Sequence, residues 1–401
     1  MKSATLVLGI IALTAAGPVA AQSLDLGAGG FGVSFGNSAR WDGLRINLRD
    51  NRVEAVNGIN ITLWKPGRNP AFEMNGLALG LYGADAARIT GLALAVGGVT
   101  ADESITGLSV AGLGVVSQNT IDGLTVAGLG VVAEGDMTGL SVAGLGLVSN
   151  RNMTGVNLAG LGTVSQGSMT GLNVAGLGLV AERDMIGLNV AGLGTVAEGS
   201  MTGLSVAGLG LVANDDMLGV NVGGLGTVSQ GRIGWINVAG LGLVGERGID
   251  GLSVAGLAAV SGSRVRGVSV AGLAVVGSRA IRGITVAGVG VVADEGTVEG
   301  IAATAGKLQA LEARGLLVGG YEVKAETLTG LVASAIMART TDGTGVVIAP
   351  YTEFRGVQRG LSIGLVNRAE ALHGVQIGLL NYAGNNRSGL RWLPIVNLHF
   401  D

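Results

Sequence analysis

The 401-residue sequence contains no cysteine, which excludes thiol chemistry and disulfide bridges. It has 5 prolines and no Gly-X-Y period, so its 75 glycines do not form a collagen-like triple helix. Aromatic residues make up 3% of the chain, so any core must be aliphatic. The formal net charge is −3 and there is no basic tract, which argues against a nucleic-acid partner.

Histidine is also scarce, and its two copies offer no catalytic pattern. His373 and His399 lie near the C-terminus without a partner at the spacing of a metal site or a catalytic triad. Residues 300–307 superficially resemble a phosphate loop, but Leu308 stands where Ser or Thr is required. The sequence therefore predicts that the protein is not an enzyme. It predicts no cofactor and no catalytic, cofactor-binding or metal-ligating residue.

No run of 18 or more residues lacks polar breaks, so we expect no transmembrane helix. The N-terminus has a short apolar run at residues 6–16, after basic Lys2 and before the small residues 19–21. This order is typical of a secretory signal peptide that is cleaved after Ala21. We therefore predict a signal peptide at 1–21. The mature chain would be exported to the cell surface, the outer membrane or the periplasm of a bacterium.

What the sequence does contain is one phrase repeated at a strict spacing. Residues 107–300 carry twelve registers of 16 residues without an insertion, each built on a Gly-Leu-Ser-Val-Ala-Gly-Leu-Gly pattern. The anchoring residues are Gly107, Gly123, Gly139, Gly155, Gly171, Gly187, Gly203, Gly219, Trp235, Gly251, Gly267 and Gly283. A period this short is the signature of a repeat architecture, in which each unit packs only against its neighbours.

Looser segments flank the tight repeats. A lead-in segment at 22–42 is followed by irregular N-terminal repeat units at 43–106, and irregular C-terminal repeats and a cap occupy 301–401. Residues 307–314 contain helix formers and no glycine, which suggests one or two helical turns. Pro394 cannot donate a ladder hydrogen bond, so the last strand should be an edge or a cap.

The repeats predict an all-β fold. Three or four glycines in each unit disfavour a helix, and β-branched valines between glycine-rich turns indicate short strands. We favour a β-solenoid of about 16-residue coils. The alternative is an antiparallel meander, closed into an outer-membrane β-barrel. The exchange of Leu147 and Leu179 with Thr163 and Thr195 fits a meander, and it equally fits duplication of a 32-residue pair.

Alternation within a unit predicts which side chains face the core. Leu140 and Val142 flank Ser141, so we expect the two apolar residues to point inward and the serine to point outward. The same position would then form an outward polar row, a surface that a glycan or ice would fit. The row consists of Ser109, Thr125, Ser141, Asn157, Asn173 and Asn189.

Acidic residues recur in the turns, for example Glu182 with Asp184, and Asp215 with Asp216. Stacked carboxylates can collect Ca²⁺. Arginines such as Arg183 are mixed among them, however, and the glycine-rich calcium repeat is absent. We interpret these turns as a solvated edge in which the charges balance.

Both ends of the chain resemble a known family. Residues 374–381 read Gly-Val-Gln-Ile-Gly-Leu-Leu-Asn, and residues 360–367 are a sibling of that phrase. These repeats resemble those of uncharacterised bacterial surface repeat-containing proteins. Residues 43–48 and 393–400 are similar to the opening and the close of that family, whereas the centre matches it loosely. The resemblance implies an exported or surface-attached protein and brings no known activity.

The sequence thus favours a non-enzymatic exported repeat protein with a structural or surface-interaction role through an extended β face. Its partner would be a protein, a glycan or another component of the cell envelope. An outer-membrane β-barrel protein is the alternative. A glycan-acting solenoid enzyme is a third reading, but it would need paired carboxylates on one face, and the acids here lie in turns.

Overall fold

The computed structural model describes residues 23–67 and 69–400, so the predicted signal peptide at 1–21 lies outside the described residues. The chain divides into two units, Met1–Ala133 and Glu134–Asp401. In each unit the strands of one coil pair with the same strands of the next coil along the chain. Each unit is therefore a β-solenoid. Residues 23–67 and 69–400 contain no α-helix.

The first unit opens with an antiparallel hairpin of β1 and β2, and β2 then pairs in parallel with β3, the first strand of the stack. Its strands are β1 (Ser23–Ala28), β2 (Phe31–Gly36), β3 (Arg40–Asn47), β4 (Ala55–Thr62), β5 (Glu73–Gly80), β6 (Gly83–Ala95), β7 (Gly98–Ala111), β8 (Gly114–Ser117), β9 (Thr120–Ala127) and β10 (Gly130–Ala133).

In the second unit, each 16-residue coil has one longer strand, a turn and one strand of four residues. The longer strands are β11 (Met137–Ala143), β13 (Met153–Ala159), β15 (Met169–Ala175), β17 (Met185–Ala191), β19 (Met201–Ala207), β21 (Met217–Gly223), β23 (Arg232–Ala239), β25 (Gly248–Ala255), β27 (Arg264–Ala271) and β29 (Ala280–Ala287). The four-residue strands are β12 (Gly146–Ser149), β14 (Gly162–Ser165), β16 (Gly178–Ala181), β18 (Gly194–Ala197), β20 (Gly210–Ala213), β22 (Gly226–Ser229), β24 (Gly242–Gly245), β26 (Ala258–Ser261) and β28 (Ala274–Gly277).

The C-terminal coils have one long strand each. They comprise β30 (Gly290–Thr304), β31 (Lys307–Gly319), β32 (Glu322–Ser334), β33 (Met337–Ile348), β34 (Tyr351–Ile363) and β35 (Val366–Ala383), followed by a 3₁₀ turn (Ser388–Leu390) and β36 (Trp392–His399). The last strand, β36, turns back and pairs antiparallel with β35. Pro394 falls where this register shifts, a place that tolerates its missing N–H.

Parallel pairing between coils confirms the β-solenoid prediction. Strand β11 pairs with β13 so that Ser141 lies opposite Asn157, and β12 pairs with β14 so that Leu147 lies opposite Thr163. Both offsets are 16 residues. An antiparallel meander would instead pair each strand with its neighbour in reverse. The alternation of Leu and Thr therefore runs along one column of stacked coils and does not mark opposite ends of a sheet.

A glycine anchors every tight coil but one because the backbones approach closely there. At Gly171 the φ angle is +114°, which L side chains rarely adopt. A Cβ at this residue would lie 2.1 Å from the carbonyl oxygen of Gly155 in the preceding coil. The strict 16-residue spacing of these glycines in the sequence thus results from one backbone contact that is repeated in each coil.

The predicted facing of the strands is wrong. Ser141 is buried, as are its counterparts Ser109, Thr125, Asn157, Asn173 and Asn189, so the expected outward polar row lies inside the coil. Leu140 and Val142 point outward and remain partly exposed. The methionine at the head of the coil does face the core, since Met137 and Met153 are fully buried.

Hydrogen bonding between coils explains why polar side chains fill this interior. The side-chain amide of Asn157 donates to Asn173 at 2.9 Å, and Asn173 donates to Asn189 at the same distance. A buried amide that finds its partner in the next coil avoids the desolvation cost of an unpaired polar group. The repeat supplies such a partner where asparagines follow one another in this column, as they do again at Asn221 and Asn237.

The helical turns expected at residues 307–314 are also wrong, because these residues lie in β31. This strand pairs in parallel with β30 and β32. Leu308, Ala310 and Ala313 are buried against the core. Local helix propensity amounts to tenths of a kcal/mol per residue, so a ladder on both sides of the strand overrides it.

We predict that Asn173→Asp destabilises the protein much more than Leu172→Asp. The first change buries a carboxylate that can no longer donate to Asn189, at a cost of about 3 kcal/mol or more, whereas the second alters a partly exposed position at about 1 kcal/mol. Denaturant midpoints of the two variants test this. Equal midpoints, or a lower one for Leu172→Asp, would contradict the observed facing.

A second prediction separates two glycines of one coil. Gly171→Ala should lower the free energy of unfolding by more than about 1 kcal/mol, measured by denaturant unfolding, since both its φ angle and its contact with Gly155 exclude a Cβ. Gly178→Ala is the matched control, because a Cβ at this residue would lie 3.5 Å from the nearest atom. A later coil already has an alanine, Ala258, at the corresponding position. Similar losses for both variants would refute the role of the glycine contact.

Candidate interaction surface

The outward side chains of the second unit form an apolar surface that repeats in every tight coil. Coil positions are named here after the coil that begins at Met137. We call the outward side chains at the Leu140, Val142, Leu145 and Val148 positions of residues 139–293 the apolar faces. They consist of Leu, Val and Ile, and all are exposed or half-buried.

The most exposed column of this surface lies in the turn between the longer and the shorter strand. We call this column the leucine ridge. Its side chains are each between 44% and 48% exposed. The ridge consists of Leu145, Leu161, Leu177, Leu193, Leu209, Leu225, Leu241, Leu257 and Leu273.

Charged residues are confined to the part of the coil farthest along the sequence from the ridge. Every Asp, Glu, Lys and Arg of residues 134–293 falls at one of five consecutive coil positions, 134–138, and the other eleven positions carry none in any of the ten coils. We call residues 134–138 and their counterparts the charged edge. Sequence alone had predicted this edge from the mixture of acids and arginines in the turns.

Ion pairs link side chains of different coils along the charged edge. The Arg232 guanidinium donates to Asp216 at 2.9 Å, and its backbone N–H donates to the same carboxylate at 2.8 Å. Burial opposes ionisation of Asp216, but these two hydrogen bonds and the positive charges of Arg232 and Arg247 together outweigh it and hold the pKa of Asp216 below its usual value. Arg247 reaches Asp215 at 3.1 Å, two coils away. These pairs are largely solvated, so each contributes little to stability.

Trp235 stands at the boundary between the charged edge and the apolar faces. It occupies the position of the anchoring glycine with a φ of +79°, a conformation that is strained for a bulky residue, and its side chain is 71% exposed. On one side of it in the strand lies Arg232 of the charged edge, and on the other lies outward-facing Ile236. An exposed aromatic ring is thus held in place at a conformational cost.

The first unit also has an apolar outer surface, and part of it is concave. A groove of about 550 Å³ is lined by outward side chains that include Leu63, Leu81 and Val96. The rings of Trp64 and Tyr82 lie 6.0 Å apart, and both side chains are exposed. This unit therefore pairs exposed aromatic rings with exposed aliphatic side chains.

The buried charges of the first unit are structural. Arg45 is fully buried and forms an ion pair with Asp50, and it also donates to Asn60 at 2.8 Å and to Asn37 at 3.1 Å. In β3, as in the tight coils, the polar side chain is the buried one, whereas neighbouring Leu44 is partly exposed. The network of Arg45 fills the interior near the start of the stack.

The fold brings the two histidines together although the sequence spacing gave no sign of it. Antiparallel pairing of β36 on β35 places Gly374 opposite His399, and the ring centroids of His373 and His399 lie 6.0 Å apart in an edge-on contact. Asn386 contacts His399 at 2.6 Å. Within residues 23–67 and 69–400, no cluster of three His, Cys, Asp or Glu side chains is placed to hold a metal ion.

A polar groove of about 350 Å³ lies on the C-terminal coils, lined by Lys324, Arg339 and Arg355 among others. Arg339 lies within 4 Å of both Glu322 and Glu353, and Arg355 also approaches Glu353. Two of its three cations thus already face carboxylates of the chain.

The chain matches no protein-family model, and searches of curated proteins and of solved structures found no match. In the described part of the chain, no helix has the length and apolarity needed to cross a bilayer. Fold and surface define a β-solenoid repeat protein whose coils at residues 134–293 are charged along one edge and apolar over the rest of their outer face.

We predict that Trp235→Gly is more stable than Trp235→Ala by about 1 kcal/mol, because only glycine relieves the strain of the positive φ angle. Both variants lose the ring, which is mostly exposed, so the difference isolates the backbone. Thermal or denaturant unfolding of the two variants checks this. An alanine variant as stable as the glycine variant would show that the tryptophan position is not strained.

Proposed function

We propose that the chain is an exported, non-enzymatic repeat protein that acts by contact through the apolar outer surface of its coils. The observation that carries this proposal is the set of apolar faces, which run through ten coils without a charged residue. Leucine and valine side chains offer no acid, base or nucleophile, so the chemistry available to this surface is the exclusion of water.

The extent of the surface supports a contact role. The leucine ridge has nine members, and at about 4.8 Å per coil it extends for about 38 Å. The nine residues from Leu140 to Val148 add a width of about 25 Å, followed around the coil. The area given by this length and width exceeds the few hundred Å² that an apolar patch on a soluble monomer usually covers. Larger apolar patches mark interaction sites.

Two features of the sequence support export and attachment to the cell envelope. One is the predicted signal peptide at 1–21. The other is the resemblance of the repeats at 360–367 and 374–381 to bacterial surface repeat-containing proteins. A contact surface outside the cytoplasm would place the protein at the cell surface, in the periplasm or on the outer membrane.

The proposal predicts that retention in the envelope depends on the leucine ridge. We define the ridge variant as Leu161→Lys, Leu209→Lys and Leu225→Lys, three outward substitutions that place charge on the apolar faces. In a bacterial host that produces the full chain, wild type should remain with the washed envelope fraction. The ridge variant should be released at least about tenfold more readily, because each ammonium must lose its hydration on contact.

The matched control is the edge variant, defined as Gln166→Lys, Asn214→Lys and Gln230→Lys. These residues are exposed on the charged edge and add the same three charges. The edge variant should behave as wild type, and mass spectrometry of the retained protein should show a chain that begins at Gln22. Retention that survives in a folded ridge variant would exclude contact through the apolar faces, and an intact Met1 would exclude export by signal cleavage.

A further inference from the structure

We propose that the apolar faces of the second unit rest on the hydrocarbon of a lipid layer, with the charged edge turned toward water. This inference rests on the proposed function and names the partner of the same surface. The solenoid would lie against one side of the layer, as interfacial amphipathic elements do, with the leucine ridge as its most deeply inserted part.

The separation of charge is the first argument for lipid. Placing a charged side chain in hydrocarbon has a high free-energy cost. In ten successive coils, no Asp, Glu, Lys or Arg lies outside the five positions of the charged edge. A protein interface typically surrounds its apolar centre with a polar rim. Here the polar and charged side chains lie together on one edge, which matches the boundary between water and an apolar phase.

The uniformity of the surface is the second argument. Binding to a folded partner depends on a few anchors in fitted pockets, which give the interface a defined register. The leucine ridge instead presents the same side chain at the same exposure in each successive coil. Such a surface fits a fluid partner, which needs no register.

Backbone hydrogen bonding is the third argument, because hydrocarbon offers no partner to a bare N–H or C=O group. Even in the turn that carries the ridge, the amides are bonded to the preceding coil. The N–H of Leu161 donates to the carbonyl of Leu145 at 2.8 Å, and Gly162 donates to the same carbonyl at 3.1 Å. Gly160 donates to Ala143 at 3.1 Å. The exposed turn can therefore leave water without losing its amide hydrogen bonds.

The position of Trp235 agrees with this orientation. Tryptophan is enriched at the interface between hydrocarbon and water, where its ring is buried and its N–H stays hydrated. Trp235 lies between the charged edge and the apolar faces, and it is 71% exposed. With the ridge inserted, its ring would reach the level of the lipid headgroups.

The test is flotation of the full-length protein with neutral phosphatidylcholine vesicles, without detergent, at about 0.1 M and about 1 M salt. We expect binding at both salt concentrations, since burial of apolar surface is not screened. The ridge variant should lose at least about tenfold in partitioning, whereas the edge variant should stay within about twofold of wild type. Circular dichroism checks that each variant is folded.

A second measurement needs no ridge substitution. Vesicles whose acyl chains are brominated close to the headgroups should quench part of the tryptophan emission of wild type, and the quenched share should fall in Trp235→Gly. An unchanged share in that variant would place Trp235 away from lipid and overturn the orientation. This readout also decides the matter if the ridge variant fails to fold.

Other outcomes would overturn the lipid partner. Binding that requires anionic lipid and disappears at about 1 M salt would show attraction to headgroups instead. Self-association that the ridge variant abolishes, without binding to vesicles, would assign the faces to a second copy of the chain. In that case contact through the apolar faces would stand while the lipid inference failed. Envelope retention independent of the ridge would instead remove the proposed function itself.

Discussion

The in-register approach of each coil to the next is the constraint on which the rest of the structure depends. At Gly171 the backbone of β15 comes so near the carbonyl of Gly155 that no side chain fits between them. Adding or removing a residue within β15 would displace this glycine and reverse the facing of the strand residues beyond it. Looser coils of other lengths keep the same glycine contact, as at Gly76 and Gly374, so their extra or missing residues are accommodated in the turns. The constraint explains why variation in side-chain chemistry within the tight coils collects in the turns of the charged edge.

Periodicity was enough to predict the architecture, because 16-residue spacing and glycine content describe the backbone. It was not enough to predict the facing, because the usual rule of apolar residues inside fails in this chain. Met137 and Ser141 are four residues apart in β11, so their side chains lie on the same side of the strand, whereas Leu140 lies on the other side. Taking methionine as the core marker would have placed the serine inside. The rule fails because each buried Asn finds its hydrogen-bond partner one coil away, which a single repeat read alone does not reveal.

The candidate surface depends on which strand residues point outward, and because that facing was predicted wrongly, the sequence alone did not reveal the surface. The mixture of acids and arginines in the turns predicted the charged edge, although the confinement of charge to five coil positions was not part of that prediction. The exposure of Leu145 and the strain at Trp235 depend on turn geometry and on φ angles, which composition does not determine. Likewise, the contact of His373 with His399 arises from a chain reversal near Asn386, so the spacing of the two residues gave no warning of it.

The alternation of Leu147, Thr163, Leu179 and Thr195 along the interior has a consequence for assembly of the stack. Each large side chain lies beside a smaller one in the adjoining coil. A coil that bypassed its neighbour during folding would bring leucine against leucine in a space shaped for leucine and threonine, and overpacking of that kind is unfavourable. Nearly identical repeats are open to such mispairing because their backbones are interchangeable. The two-coil pattern thus favours pairing of each coil with the adjacent coil over pairing with the coil after it.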